Sequence, residues 1–293
     1  MKLKGIWQLA SVQLQIMYLL MMILVSFVVF SALGMLGTLL VGMPNMSDLS
    51  AGNTMSVLKW MQGCTAIGLF VVPPLLFAYT TKHALGWKKI SRQQGMLAVA
   101  VMLLAIPSIN ALAVWNEGLY LPEFLTSLEQ WMRAAEAQAM RMTEAFLVMD
   151  SPVDLVVNLL LVAAIPAIGE ELLFRGVLQK LFLKWNGKVH LSVWLTAFLF
   201  SAMHFQFLGF VPRFLLGGML GYLFVWSGSV WLPILAHFTN NAVAVLITYF
   251  VGIKQINPEI ETLGGEGGSA VLISGLGCLL LLYFIKEIST NNT

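Results

Sequence analysis

The chain has 293 residues, 59% of them hydrophobic and only 10% charged, with mean hydropathy +0.84 and a formal net charge of +2. Soluble domains carry about 25% charged residues, so this composition excludes an ordinary soluble domain and points to a membrane protein whose first partner is the lipid bilayer. No basic cluster marks a nucleic-acid surface, so nucleic acid is not an expected partner.

A spanning helix needs about 20 predominantly apolar residues. On that criterion the chain reads as all-α and polytopic, with about eight transmembrane helices. The first runs from Val12 to Val41, too long for a cleaved signal, and follows the basic start Met1-Lys2-Leu3-Lys4. The second covers Val57 to Tyr79, with Pro73-Pro74 inside it, and the third Met96 to Val114, with Pro107. From Tyr120 to Met149 acids and arginines alternate with Phe124, Leu128, Trp131 and Met142 at helical spacing, which predicts an amphipathic helical segment on the extracytoplasmic membrane surface. The fourth span, Pro152 to Trp185, exceeds a bilayer thickness and must tilt or project. The fifth covers Leu191 to Phe210. The sixth, Phe214 to Trp226, is short and carries Gly217, Gly218 and Gly221, which permit close helix approach. The seventh covers Trp231 to Val251 and the eighth Ala270 to Ile285, leaving Lys286 to Thr293 as a polar tail. Gly264-Gly265-Glu266-Gly267-Gly268 reads as a flexible external loop, since no lysine or strand flanks it as in a phosphate cradle.

The elements group into three N-terminal spans (1–119), the amphipathic segment (120–150), a four-span core (151–252), and a final loop, span and tail (253–293). Alternating the spans with the N-terminus in the cytoplasm places about twice as many lysines and arginines inside as outside, Lys59 being among the outer ones. An even span count returns the C-terminus to the cytoplasm, so the expected location is the cell membrane with both termini cytoplasmic. Cys64 and Cys278 lie in apolar runs, with no disulfide framework or thiolate metal spacing, and read as small buried hydrophobes.

The costly side chains within the spans are few. They are Asn158, Glu170, Glu171, Arg175, His204, His237, Asn240 and Asn241. An ionisable group at membrane depth costs about 3 kcal/mol by insertion scales, so three within six positions need compensation. Residues four apart share a helix face, so Glu171 and Arg175 are expected to pair, while Glu170, about 100° round the helix, is left to face a polar cavity. His237 and Asn241 are also four apart and offer two donors toward one oxygen, as an oxyanion requires. A lone histidine or asparagine in a bundle is usually an interhelical hydrogen bond; it is the set together that points to chemistry. His83 and His190, beside lysines, read as surface residues.

Glu170-Glu171-x-x-x-Arg175, Phe200-x-x-x-His204 and His237-x-x-x-Asn241 resemble, in order, the three motifs of the CPBP intramembrane proteases. This is the CAAX protease and bacteriocin-processing (Abi) family, which includes the type II CAAX prenyl endopeptidases. The resemblance covers about Pro152 to Val251. It implies that Glu170 activates the hydrolytic water with the help of His204, that His237 and Asn241 stabilise the oxyanion, and that Glu171 and Arg175 support the site. It leaves two versions open. The preferred one uses no metal; in the other, Glu170, His204 and His237 hold zinc, although the histidine spacing of an H-E-x-x-H site is missing. The expected activity is endopeptidase cleavage of a membrane-associated protein or peptide, with a prenylated CAAX-type substrate suggested by the family. The alternatives are a transporter or channel using the same Glu and His cluster, which the absence of an internal repeat disfavours, and a non-catalytic scaffold on the same fold.

Overall fold

The computed structural model describes residues 4–43, 54–265 and 267–291. Lys2 and Glu266, and with Glu266 the centre of the glycine-rich loop, lie outside the described residues. Helices make up the regular structure of the described residues: α1 (Val12–Val41), α2 (Thr54–Thr81), α3 (Arg92–Glu117), α4 (Thr126–Phe146), α5 (Pro152–Asn186), α6 (Val189–Ala202), α7 (Phe210–Ser227), α8 (Trp231–Gly252) and α9 (Ser269–Asn291). Seven of them are long and apolar enough to cross a membrane. The expected fifth span, α6, is apolar but has only 14 residues. Hydropathy continues past it to Phe210, but the backbone does not. Phe205 adopts a left-handed φ of 52°, and the N–H groups of His204 and Phe205 turn back to the carbonyls of Ser201 and Ala202. The sequence beyond this turn joins α7 instead, making that helix longer than expected.

Proline accompanies two of the irregular stretches. It lacks an N–H and crowds the carbonyl four residues back, which favours a local widening of the helix, although Pro107 sits within α3 without one. Residues Ile67–Val71 of α2 widen into a π-turn just before Pro73-Pro74, and Leu159–Ala164 of α5 do the same before Pro166. The wider turn accommodates the missing bond, and both helices continue. A further π-segment, Leu172–Gln179, follows the two glutamates, and all eight of its residues are buried. That stretch is the hub of the molecule. Leu172, Leu173, Phe174, Val177 and Leu181 pack with Leu19, Phe77, Leu85, Phe200 and Phe224 from the surrounding elements. By contrast α1, apolar on every side, exposes Leu24 and Leu40, as a lipid-facing helix does.

A second core joins α3, α7, α8 and α9 through Ala98, Met102, Leu220, Leu232, Ala236 and Ile285. Small and polar residues hold α9 on α3: the Ser108 and Ser274 hydroxyls meet at 2.7 Å, and Gln94 Nε2 donates to Ser289 Oγ at 2.9 Å. Ser289 lies in the stretch expected to be a polar tail; it is buried, because α9 continues helical past Ile285 to Asn291. Cys64 and Cys278 are both half-buried. The amphipathic α4 lies over the turn that follows α6, where Trp131 stacks near Phe207 (5.5 Å between centroids) and Glu136 Oε2 accepts from Leu208 N at 3.2 Å.

Candidate active site

The glutamates sit in α5 directly after Gly169. A side chain at that position would meet Phe70 Cβ at 2.8 Å and Phe70 C at 3.1 Å, so a residue without one lets the π-turn of α2 press against the helix that carries Glu170 and Glu171. Glu171 and Arg175, both fully buried, pair through Glu171 Oε1 and Arg175 Nη1 at 2.8 Å, as their spacing predicts. Arg175 Nη2 donates to the Gly217 carbonyl at 2.8 Å, tying α5 to α7, and its guanidinium lies 4.8 Å from the centre of the Phe200 ring. These contacts offset the cost of taking an arginine out of water.

Glu171 has a second partner that spacing alone does not reveal. His237 Nδ1 lies 2.9 Å from the same Oε1. A carboxylate already bound to a guanidinium offers only acceptors, so the imidazole proton in this bond is on Nδ1, and Nε2 is turned away from Glu171. His204 is fixed in the same sense. Its Nδ1 lies 2.8 Å from the Phe200 carbonyl, which can only accept, so its Nε2 also carries the lone pair of the neutral ring. The two imidazoles flank one aromatic ring: Phe200 meets His204 edge-on at 5.2 Å and His237 at 5.7 Å.

Glu170 differs from its neighbour. It is 8% exposed and makes no hydrogen bond or ion pair among the described residues; its Oε2 is buried without a partner, as is Oε2 of Glu171, but Oε1 of Glu171 is held by Arg175 and His237. The charges of His237, Glu171 and Arg175 all act on it. A buried carboxylate oxygen with no partner is rare in a folded protein and marks a place where water or substrate completes the bonding. Asn241, like His237, faces α5. Its Nδ2 donates to Val162 O at 3.1 Å, and its Oδ1 accepts from Asn240 Nδ2 at 3.1 Å. With Oδ1 so occupied the amide cannot flip, and one N–H of Nδ2 is left over. The structure therefore brings Arg175, His204 and His237 round Phe200, joins Glu171 to Arg175 and His237, and attaches Asn241, at Val162, to the helix that carries Glu170.

Gly217, Gly218 and Gly221 give the close approach their pattern implies, with Ala197, Phe200, Trp194 and Val193 of α6 filling the space a side chain would take. His83 is not a surface residue. It is half-buried, with Nε2 2.9 Å from the Gly176 carbonyl and its ring edge-on to Phe77, because the chain after α2 folds back onto α5. His190 is exposed as expected, bound to the Tyr222 hydroxyl. Ser201 is engaged as a donor to Phe210 O at 2.7 Å. Among the described residues no three His, Cys, Asp or Glu side chains converge as a metal-binding group, and nothing positive supports zinc on Glu170, His204 and His237.

Asn116 carries a structural role that helical spacing does not signal. It is buried in α3 and clamps the turn behind His204 from both sides: its Oδ1 accepts from Val211 N at 2.7 Å, and its Nδ2 reaches Phe207 O at 3.3 Å. An asparagine at the end of an apolar run was the available signal.

Comparison with known proteins finds relatives for this part of the chain. Residues 152–243 match the model of the type II CAAX prenyl endopeptidase Rce1-like family. Over 93 residues the chain is 31% identical to the Bacillus subtilis (strain 168) protein named "Uncharacterized protein YpbD", a match that takes in 30% of this chain and 44% of that protein. No solved structure matches the chain. The stretch that carries both glutamates, both histidines and Asn241 is thus similar to the Rce1-like type II CAAX prenyl endopeptidase family.

Proposed function

We propose that this chain is an intramembrane endopeptidase that hydrolyses a peptide bond of a membrane-associated protein, using water activated by Glu170. The observation that carries the proposal is the buried Glu170, which has no hydrogen-bond partner among the described residues, beside a Glu171 whose Oε1 is held by both Arg175 and His237. Glu170 takes a proton from water and the resulting hydroxide attacks the scissile carbonyl. His204, held by Phe200 O, offers Nε2 as acceptor for the second hydrogen of that water. The free N–H of Asn241 donates to the oxyanion of the tetrahedral intermediate. His237 donates there only as imidazolium, which the Glu171 carboxylate beneath it stabilises. When the intermediate collapses, the C–N bond breaks and the leaving amine takes the proton from Glu170. No step is routed through a metal.

The family match supports a substrate of the prenylated CAAX class, cleaved near its C-terminus. The lysine and arginine bias supports cytoplasmic termini in the cell membrane. The test is hydrolysis by the purified protein in liposomes, offered a farnesylated CAAX peptide and an unprenylated transmembrane peptide, in water enriched in heavy oxygen. The expected result is cleavage of the farnesylated peptide with one heavy oxygen in the new carboxylate. Absence of cleavage of either peptide, with the protein folded, would overturn the enzyme assignment.

A further inference from the structure

A cavity of about 1270 Å³ lies away from Glu170, between α1, α2, the end of α4 and the start of α5. It is larger than the roughly 300–1,000 Å³ of ordinary small-molecule pockets. Its walls are apolar, from Phe30 and Leu33 through Leu161 to Ile67 and Ile165. Residues along its edge, Leu33, Trp60 and Leu160 among them, face outward toward where lipid would lie. One end is charged. Lys59 of α2, only 9% exposed, lines it together with Asp150 and Asp154 at the start of α5. From Lys59 to Ile67 the cavity follows α2 for about 12 Å at 1.5 Å per residue.

The charges there are incompletely matched. Lys59 has no hydrogen bond and no ion pair within 4 Å among the described residues, although Asp154 acts on it from further away. One oxygen of Asp154 is already taken, since Oδ2 accepts from the Ser151 hydroxyl and N–H and from the Asp150 N–H. An ammonium sunk beside lipid without an acceptor is costly and calls for one. The carboxylates beside it repel a purely anionic head and leave room for a donor.

We propose that this cavity binds one zwitterionic bilayer phospholipid with a primary ammonium head, of the phosphatidylethanolamine type. The phosphate meets Lys59, the ammonium meets Asp150 and the free oxygen of Asp154, and the acyl chains fill the wall between α1 and α5. A choline head has no N–H to give the aspartates, and a glycerol head has no cation to offset them.

The test is retention of lipid by the purified full chain after equilibration with vesicles of phosphatidylethanolamine, phosphatidylcholine and phosphatidylglycerol in equal amounts, read by native mass spectrometry. Phosphatidylethanolamine should be retained at one per chain in preference to both others. Occupancy should fall about tenfold or more in Lys59→Met, the ratio that loss of one charge-assisted hydrogen bond gives, and persist in Lys59→Arg. Val157→Trp, which keeps Lys59 and fills the chamber, should exclude the lipid as well. Equal retention of all three lipids, undiminished retention in Lys59→Met, or displacement by a farnesylated peptide, which would assign the cavity to substrate, overturns the proposal. The readout is lipid mass, so it stands or falls independently of peptide cleavage.

Discussion

Replacing Glu171 perturbs two bonds at once, because Arg175 Nη1 (2.8 Å) and His237 Nδ1 (2.9 Å) share its Oε1. In Glu171→Ala the fully buried guanidinium keeps only its bond to Gly217 O, and His237 loses its anchor. Removing one partner of a buried pair costs about 3–5 kcal/mol, because the remaining charge is left uncompensated. Glu171→Gln is milder. Its amide oxygen can still accept from both donors, and its NH₂ falls where Oε2 had no partner. The loss is then the difference between charge-assisted and neutral bonds, about 2 kcal/mol over the two. Glu171→Met combined with Arg175→Met removes both charges and should recover much of the stability lost in Glu171→Ala. The assay is reversible unfolding in mixed detergent micelles, with the wild type most stable, Glu171→Gln next and Glu171→Ala last. A Glu171→Ala protein that unfolds at the wild-type midpoint would refute the claim that this pair bears on stability.

Other consequences follow from single contacts. Asn241→Ala should lower kcat by about 100- to 1000-fold with KM changed little, as loss of an oxyanion donor does, measured on the farnesylated peptide in liposomes. Gly169→Ala places a methyl against Phe70 and should cost about 1–3 kcal/mol as overpacking, read from the same unfolding assay. His83, outside the spans, is held neutral below the usual histidine range, first by burial and then by Lys180 and Lys184, with the bond to Gly176 O opposing them. Unfolding lets it take up a proton sooner than the folded protein does. Its contribution is therefore intact above about pH 6.5 and lost as pH falls from there toward the folded value. His83→Gln should flatten that part of the stability profile; a profile unchanged by the substitution would contradict the burial argument.

The parts of this molecule legible in the sequence are those governed by local spacing. Apolar runs located seven long helices within a few residues, and the i, i+4 rule paired Glu171 with Arg175. What spacing could not show came from backbone conformation and from contacts between distant segments. The left-handed Phe205 ends α6 inside a run that stays apolar to Phe210, so hydropathy overran it. The bond from His237 to Glu171 spans 66 residues, and the clamp of Asn116 on Phe207 and Val211 spans about 90; no local pattern encodes either. The glycines of α7 signalled close approach correctly, yet only the packed structure says that α6 fills the space they leave.

The central claim is that Glu170, and not its better-bonded neighbour, carries the chemistry. Glu170→Gln keeps the size of the side chain and removes its basicity. Cleavage of a farnesylated CAAX peptide by this variant, measured beside its unfolding midpoint, should fall by at least about 100-fold, the usual worth of a positioned general base, with the midpoint unchanged or raised. A folded Glu170→Gln protein that cleaves at the wild-type rate would contradict the account.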